Sequence, residues 1–205
     1  MLIYDDSFGA VMAASQREAT ELGADAYGSE HVLLGLLGAA GPLTEQVQRA
    51  EPALTAGAVR AAVQRGADDA VHLQRLGVDA EQLLAPAPGE TPSRQHPTPR
   101  NRHTPEWQRA LASASVKLDR LQKSGALPRQ RKVTSAVLWL AVLEPGTRAY
   151  RLLAAVDVDA ERVRDAVLGA LAGAGAAAPP WPEQARAGLL TRLVQRALAR
   201  VNTAG

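Results

Sequence analysis

Few side chains in this sequence stand where they could do chemistry together. Glu30-His31 supplies a carboxylate beside an imidazole, half of a zinc-protease pattern. The other half would be a second His one helical turn away, and Val32 to Leu37 is wholly apolar. His72, His96 and His103 fall in different segments, two of them among prolines, so no three-ligand metal set forms. A phosphate-cradling loop needs Gly-Lys-Ser or Gly-Lys-Thr, and neither occurs. None of the serines sits in a Gly-x-Ser-x-Gly turn, and with no Cys there is no thiolate nucleophile, disulfide or thiolate metal site. The expectation is a non-enzymatic protein with neither metal nor cofactor.

The elements that would hold these residues are helical. Only 3% of the 205 residues are aromatic while Ala is abundant, and Ala is the best helix former and a poor strand former. Hydrophobic residues at 46% and charged ones at 21% are ordinary for a globular chain, so an all-α fold is expected. No segment reaches the roughly 18 uninterrupted apolar residues of a membrane helix. Asp5 and Asp6 stand where a signal peptide carries Lys or Arg. A soluble, unexported, cytoplasmic protein is expected.

Apolar residues at spacings of three and four predict a first helix from Asp5 or Asp6 to Gly23. Ser29 is then expected to cap a short helix through Leu37, apolar on nearly every face as buried helices are. Pro42 opens a third helix to about Ala50, and Thr55 a fourth from Ala56 to about Arg65. Another helical stretch is expected over 69–84, and six prolines from Pro86 to Pro105 predict an extended linker. The plan then repeats. Thr104-Pro105 caps and opens a helix closed by Gly125, Thr134 caps the apolar run Ser135 to Leu143, and helices follow over 148–155 and 160–171. The division expected is repeat one over 1–86, linker 87–103, repeat two over 104–172, a flexible connector over 173–182 and a C-terminal segment 183–205. That segment reads as an amphipathic helix with Arg186, Arg192, Arg196 and Arg200 on its polar face; it either packs on the second repeat or meets a partner.

The net charge of +2 hides an asymmetry, −7 over 1–86 against +7 over 87–132. A bipolar chain steers charged partners or docks on itself. The basic segment 94–132, with Trp107 and with Lys117, Arg120 and Lys123 along one helix, supports an alternative reading as a nucleic-acid or anionic-partner binder. Against it, the −7 segment repels the same phosphates.

The run Gly28-Ser29-Glu30-His31-Val32-Leu33-Leu34-Gly35-Leu36-Leu37 follows a helix ending Glu18-Ala19-Thr20-Glu21-Leu22-Gly23. It resembles the amino-terminal domain of Clp chaperone ATPases, whose repeats carry G-T-E-H-[IL]-L-L-G-L-L. Leu76-Gly77-Val78-Asp79 is similar to that family's L-G-[IV]-[DS], His103-Thr104-Pro105 to its [FY]-T-P repeat opening, and Val133 to Leu140 to a diverged G-T-E-H-L-L-G-L. The likeness covers about residues 4–172 and includes no ATPase module. It implies one bundle of two pseudo-symmetric four-helix repeats, a stand-alone form of the domain that receives substrates or adaptors for a Clp unfoldase and protease.

The resemblance also implies where ligands would sit. In several family members each repeat holds phosphoarginine, the Glu of T-E-H taking the guanidinium and the Thr that opens the repeat taking the phosphate. Glu30 keeps the first role, but Asp5 stands where the first repeat's Thr would be, and a carboxylate repels phosphate. Thr104 is kept in the second repeat, where Ser135 replaces the Glu and Ala136 the His. With each pocket half lost, phosphoarginine binding is expected to be weak or absent. Other members bind cyclic-peptide antibiotics between the repeats on exposed Phe side chains. Those neighbourhoods here hold Met1, Leu2 and Tyr4 on one side and His103 on the other. Glu30 and His31 serve equally to cap and brace the buried helix. The resulting expectation is a protein- or peptide-binding module that modulates Clp-dependent proteolysis as adaptor, competitor or decoy. Its partners would be the Clp ATPase or protease, their adaptors or substrates, and it would make no membrane contact.

Overall fold

The computed structural model describes residues 4–66, 103–130, 132–173 and 175–183. These form eight helices: α1 (Asp6–Glu21), α2 (Ser29–Gly38), α3 (Pro42–Ala50), α4 (Ala56–Gln64), α5 (Pro105–Lys123), α6 (Ser135–Val142), α7 (Arg148–Ala155) and α8 (Ala160–Ala172). Among the described residues there is no strand, so the fold is all-α. The helix expected over 69–84, all but the first residue of that expected over 183–201, and most of the proline linker lie outside the described residues.

Side-chain caps set most of the helix starts. Asp5 accepts the Phe8 N–H, Thr55 that of Ala58, Thr104 that of Trp107, Thr147 that of Tyr150, and Asp159 that of Glu161. At α2 the cap differs from the expected one: Gly28 is the N-cap and Ser29 is already helical. His31 Nδ1 accepts the Gly28 N–H at 3.0 Å, which satisfies the entry and leaves the Ser29 hydroxyl for a contact elsewhere.

α2 and α6 are buried on nearly every residue and lie against each other at the centre, with α1 covering α2 and α5 covering α6. The halves then exchange partners, α3 packing on α8 and α4 on α7. Their openings are exchanged as well. Tyr4 forms a parallel bridge with Val133, just before α6, and His103 one with Tyr27, just before α2. One hydrophobic cluster runs through both halves, including Leu33, Leu34, Trp107, Leu138 and Trp139, all at most 0% exposed. Burying such an apolar set on both central helices is what lets a chain with so few aromatics close a core.

Gly35 fixes how closely α1 and α2 approach. A Cβ there would lie 2.4 Å from Ser15 Oγ and 2.8 Å from both Ser15 N and Val11 O. Gly35→Ala therefore pushes two backbones apart, and urea unfolding is expected to show a loss of about 1–3 kcal/mol despite the gain in helix propensity.

Within the connector expected to be flexible over 173–182, Ala178 and Trp181 pack on the core. No described helix is long and apolar enough to cross a membrane.

Candidate functional site

Three helix N-termini meet around Glu30. Ser29 Oγ donates to Glu106 Oε1 at 2.7 Å, the Arg148 N–H donates to the same oxygen at 2.8 Å, and the Ala149 N–H donates to Ser29 Oγ at 3.0 Å. Thus the starts of α2, α5 and α7 are tied through one carboxylate, where their partial positive charges favour an anion. Glu30 is 5% exposed; its Oε1 takes the Arg148 guanidinium Nη1 at 3.3 Å, and its Oε2 has no hydrogen-bond partner among the described residues. Burial pushes the Glu30 carboxyl pKa up and Glu106 adds to that, while its backbone hydrogen bond and Arg148 pull it down.

His31 is 3% exposed and is pushed down to about 4 by burial, with the Arg148 charge adding to the effect. Since Nδ1 accepts from Gly28, the neutral ring carries its proton on Nε2. The 3.4 Å approach of Nδ1 to Glu30 Oε1 is accordingly not an ion pair at neutral pH. His31 therefore braces the entry to α2, and Glu30 braces α2 against α7.

The bridges correct two expectations. Because Tyr27 and Val133 hold matching places before α2 and α6, Gly28 matches Thr134, Ser29 matches Ser135 and Glu30 matches Ala136. By helix position Ser135 thus stands level with Ser29, not Glu30, and Ala136 level with Glu30, not His31. The pairing of openings is also crossed. Thr104 N–H donates to Tyr27 O at 3.1 Å, so Glu30 neighbours the start of the second half; Asp5 N–H donates to Val133 O at 3.0 Å, so Asp5 neighbours Ser135. One place therefore holds both Glu30 and Thr104, while the other holds Asp5 and Ala136 and has neither.

Asp5 itself is occupied as a cap, accepting Phe8 N–H at 2.9 Å and Ser7 Oγ–H at 2.7 Å. The Ser135 N–H donates to Ser7 Oγ at 3.2 Å. Where the first cluster has Glu30, Glu106 and Arg148, this second place has Ala136, Ser7 and Pro42, and a cleft of about 640 Å³ remains among α1, α3, α6 and α8.

Tyr4 and His103 border a different surface. Tyr4 is 53% exposed, the only large hydrophobic residue so exposed among those described, and its ring centroid lies 4.5 Å from that of Phe8. It lines a cleft of about 320 Å³ with Phe8, Leu111, Leu118, Val133 and Val137, and with Asp119, Gln122 and Lys132 as polar members. His103 lines an adjoining cleft of about 350 Å³ that shares Leu111 and Ser115 with the first. Its ring packs edge-on against Tyr27 at 4.4 Å, with Nε2 3.2 Å from the Tyr27 hydroxyl, whose pKa burial raises. The structure thus brings Tyr4 and His103 to one flank of α5 and leaves Glu30 and His31 in the interior. Met1 and Leu2 lie outside the described residues.

Sequence reasoning missed Glu106 and Arg148, whose partners lie 42 to 118 residues away. One signal was present: Arg148 opens α7, where a cation is disfavoured by the helix dipole unless a carboxylate faces it. The basic face expected on α5 is also reduced. Trp107 is 0% exposed, Lys117 is 3% exposed with its ammonium on Glu144, and Lys123 pairs with Asp119 at 2.7 Å. Among the described residues no cluster of His, Asp and Glu has metal-holding geometry. Compared with models of protein families and with curated proteins, the chain matches none.

Proposed function

We propose that the chain is a non-enzymatic protein- or peptide-binding module made of two four-helix repeats of the Clp amino-terminal type, and that it modulates Clp-dependent proteolysis as adaptor, competitor or decoy. The observation that carries binding is Tyr4, an exposed aromatic at an apolar cleft whose walls are Phe8, Leu111, Leu118 and Val137. Pockets of this kind, mostly apolar with a few polar groups, suit an apolar peptide or a cyclic peptide. The repeat reading is supported by the crossed bridges and by the reciprocal packing of α3 on α8 and α4 on α7. Phosphoarginine binding is weak or absent in this reading, because the chain's own Arg148 already holds the Glu30 carboxylate that would receive a guanidinium. The nucleic-acid alternative loses its two best side chains, Trp107 and Lys117, to the interior.

Affinity capture from native cell extract at about 50 and 300 mM salt tests the proposal, since phosphate contacts weaken steeply over that range and apolar contacts do not. The expected result is recovery of a Clp ATPase, its protease or its adaptors at both concentrations. Nucleic acid recovered only at the lower salt would overturn it.

A further inference from the structure

Beyond α8, and beyond the stretch that carries the family resemblance, the chain doubles back on the second half. Gly173 and Gly175 both take left-handed backbone, with φ of 99° and 82°, a conformation that glycine adopts at no steric cost. Pro179-Pro180-Trp181-Pro182 follows, with few backbone donors to anchor it. A side chain joins this segment to the bundle: Trp181 Nε1–H donates to Glu144 Oε1 at 2.9 Å.

Beneath the indole is a charge pair that has been taken out of water. Lys117 Nζ donates to Glu144 Oε1 at 2.8 Å and Oε2 at 2.7 Å, and Ser113 Oγ donates to Oε2 at 2.9 Å. Lys117 Nζ also stands 5.5 Å from the centre of the Trp181 ring, within reach of a cation–π attraction. Lys117 is 3% and Glu144 6% exposed. Alongside, a cleft of about 730 Å³ between the segment and Arg120, Leu121 and Ser124 remains open, so the segment crosses this flank of α5 without filling it.

We propose that residues 175–183 are a displaceable strap, hinged at Gly173 and Gly175 and latched by Trp181. It opens as a unit while the bundle stays folded, uncovering the Lys117–Glu144 pair and the adjoining flank of α5. Local opening of this kind belongs to segments held by few contacts.

Lysine occurs only at 117, 123 and 132, so amine labelling read by mass spectrometry reports the strap directly. Lys123, 69% exposed and itself paired with Asp119, is the internal reference. In the full chain Lys117 is expected to label at least about tenfold more slowly than Lys123. Trp181→Ala should bring it within about twofold of Lys123 with the circular dichroism unchanged, and Trp181→Phe, which keeps a ring but not the donor, should fall between. In the wild type, Lys117 labelling should rise with urea far less steeply than amide exchange in α6, since local opening exposes less surface than unfolding. Lys117 labelling that follows the same urea slope as α6 exchange, or that stays equally slow in a folded Trp181→Ala variant, would overturn the proposal.

Discussion

Glu144→Gln should lower the unfolding free energy by about 3–5 kcal/mol, because it leaves the Lys117 ammonium buried without a counter-charge. The cause is specific to this place. Lys117 is 3% exposed, with Glu144 and the Trp181 indole against its ammonium, so water replaces the lost carboxylate only at the added cost of opening the strap. Surface pairs in the same protein, such as Lys123 with Asp119, are exposed on both sides and contribute far less. The double variant Lys117→Met with Glu144→Leu removes both charges and is expected to recover most of the stability, since the desolvation cost of the two ions disappears with their attraction. Urea unfolding followed by circular dichroism separates the cases. A loss below about 1 kcal/mol in Glu144→Gln would mean that the pair is solvated.

Acid is expected to act through His31. Its pKa in the folded protein is about 4, against an ordinary value near 6.5, so between these pH values the unfolded chain binds the proton and the folded one does not. Stability therefore falls as pH drops through that window, by about 3 kcal/mol at pH 4 from this residue alone. Glu30 acts with the opposite sign: its raised pKa means that the folded state takes up a proton before the unfolded one as pH falls, which offsets part of the loss. His31→Asn keeps an acceptor for the Gly28 N–H and removes the titration. Urea midpoints at pH 7, 5.5 and 4 should fall in the wild type and change much less in the variant; parallel curves would show that His31 is solvated and protonates freely.

The helices were readable in the sequence because their determinants are local. Asp5, Thr55, Thr104, Thr134 and Asp159 each cap the helix that follows, and the apolar runs of α2 and α6 belong to helices covered on all sides. What was not readable depends on contacts between distant segments. Glu106 and Arg148 look like ordinary surface charges until α5 and α7 bring them to the start of α2. Lys117 reads as part of a basic stripe with Arg120 and Lys123, yet it turns inward toward Glu144, 27 residues away. Thr134 looks in sequence like the Thr of the G-T-E-H pattern, yet it is the N-cap of α6 as Gly28 is of α2, so by helix position Ser135 stands level with Ser29 and not with Glu30. The connector after α8 reads as flexible from its Gly, Ala and Pro content, and a single Trp is enough to dock it.

Whether the Tyr4 cleft is the working surface is decided by capture from native extract with charge placed inside it. Tyr4→Asp and Leu111→Asp each put a carboxylate into the apolar wall, while Glu45→Lys alters an exposed position on α3 that lines neither cleft. With all three folded by circular dichroism, the two cleft variants are expected to lose the Clp component at about 300 mM salt while Glu45→Lys retains it. Undiminished recovery by both cleft variants would contradict binding through this surface.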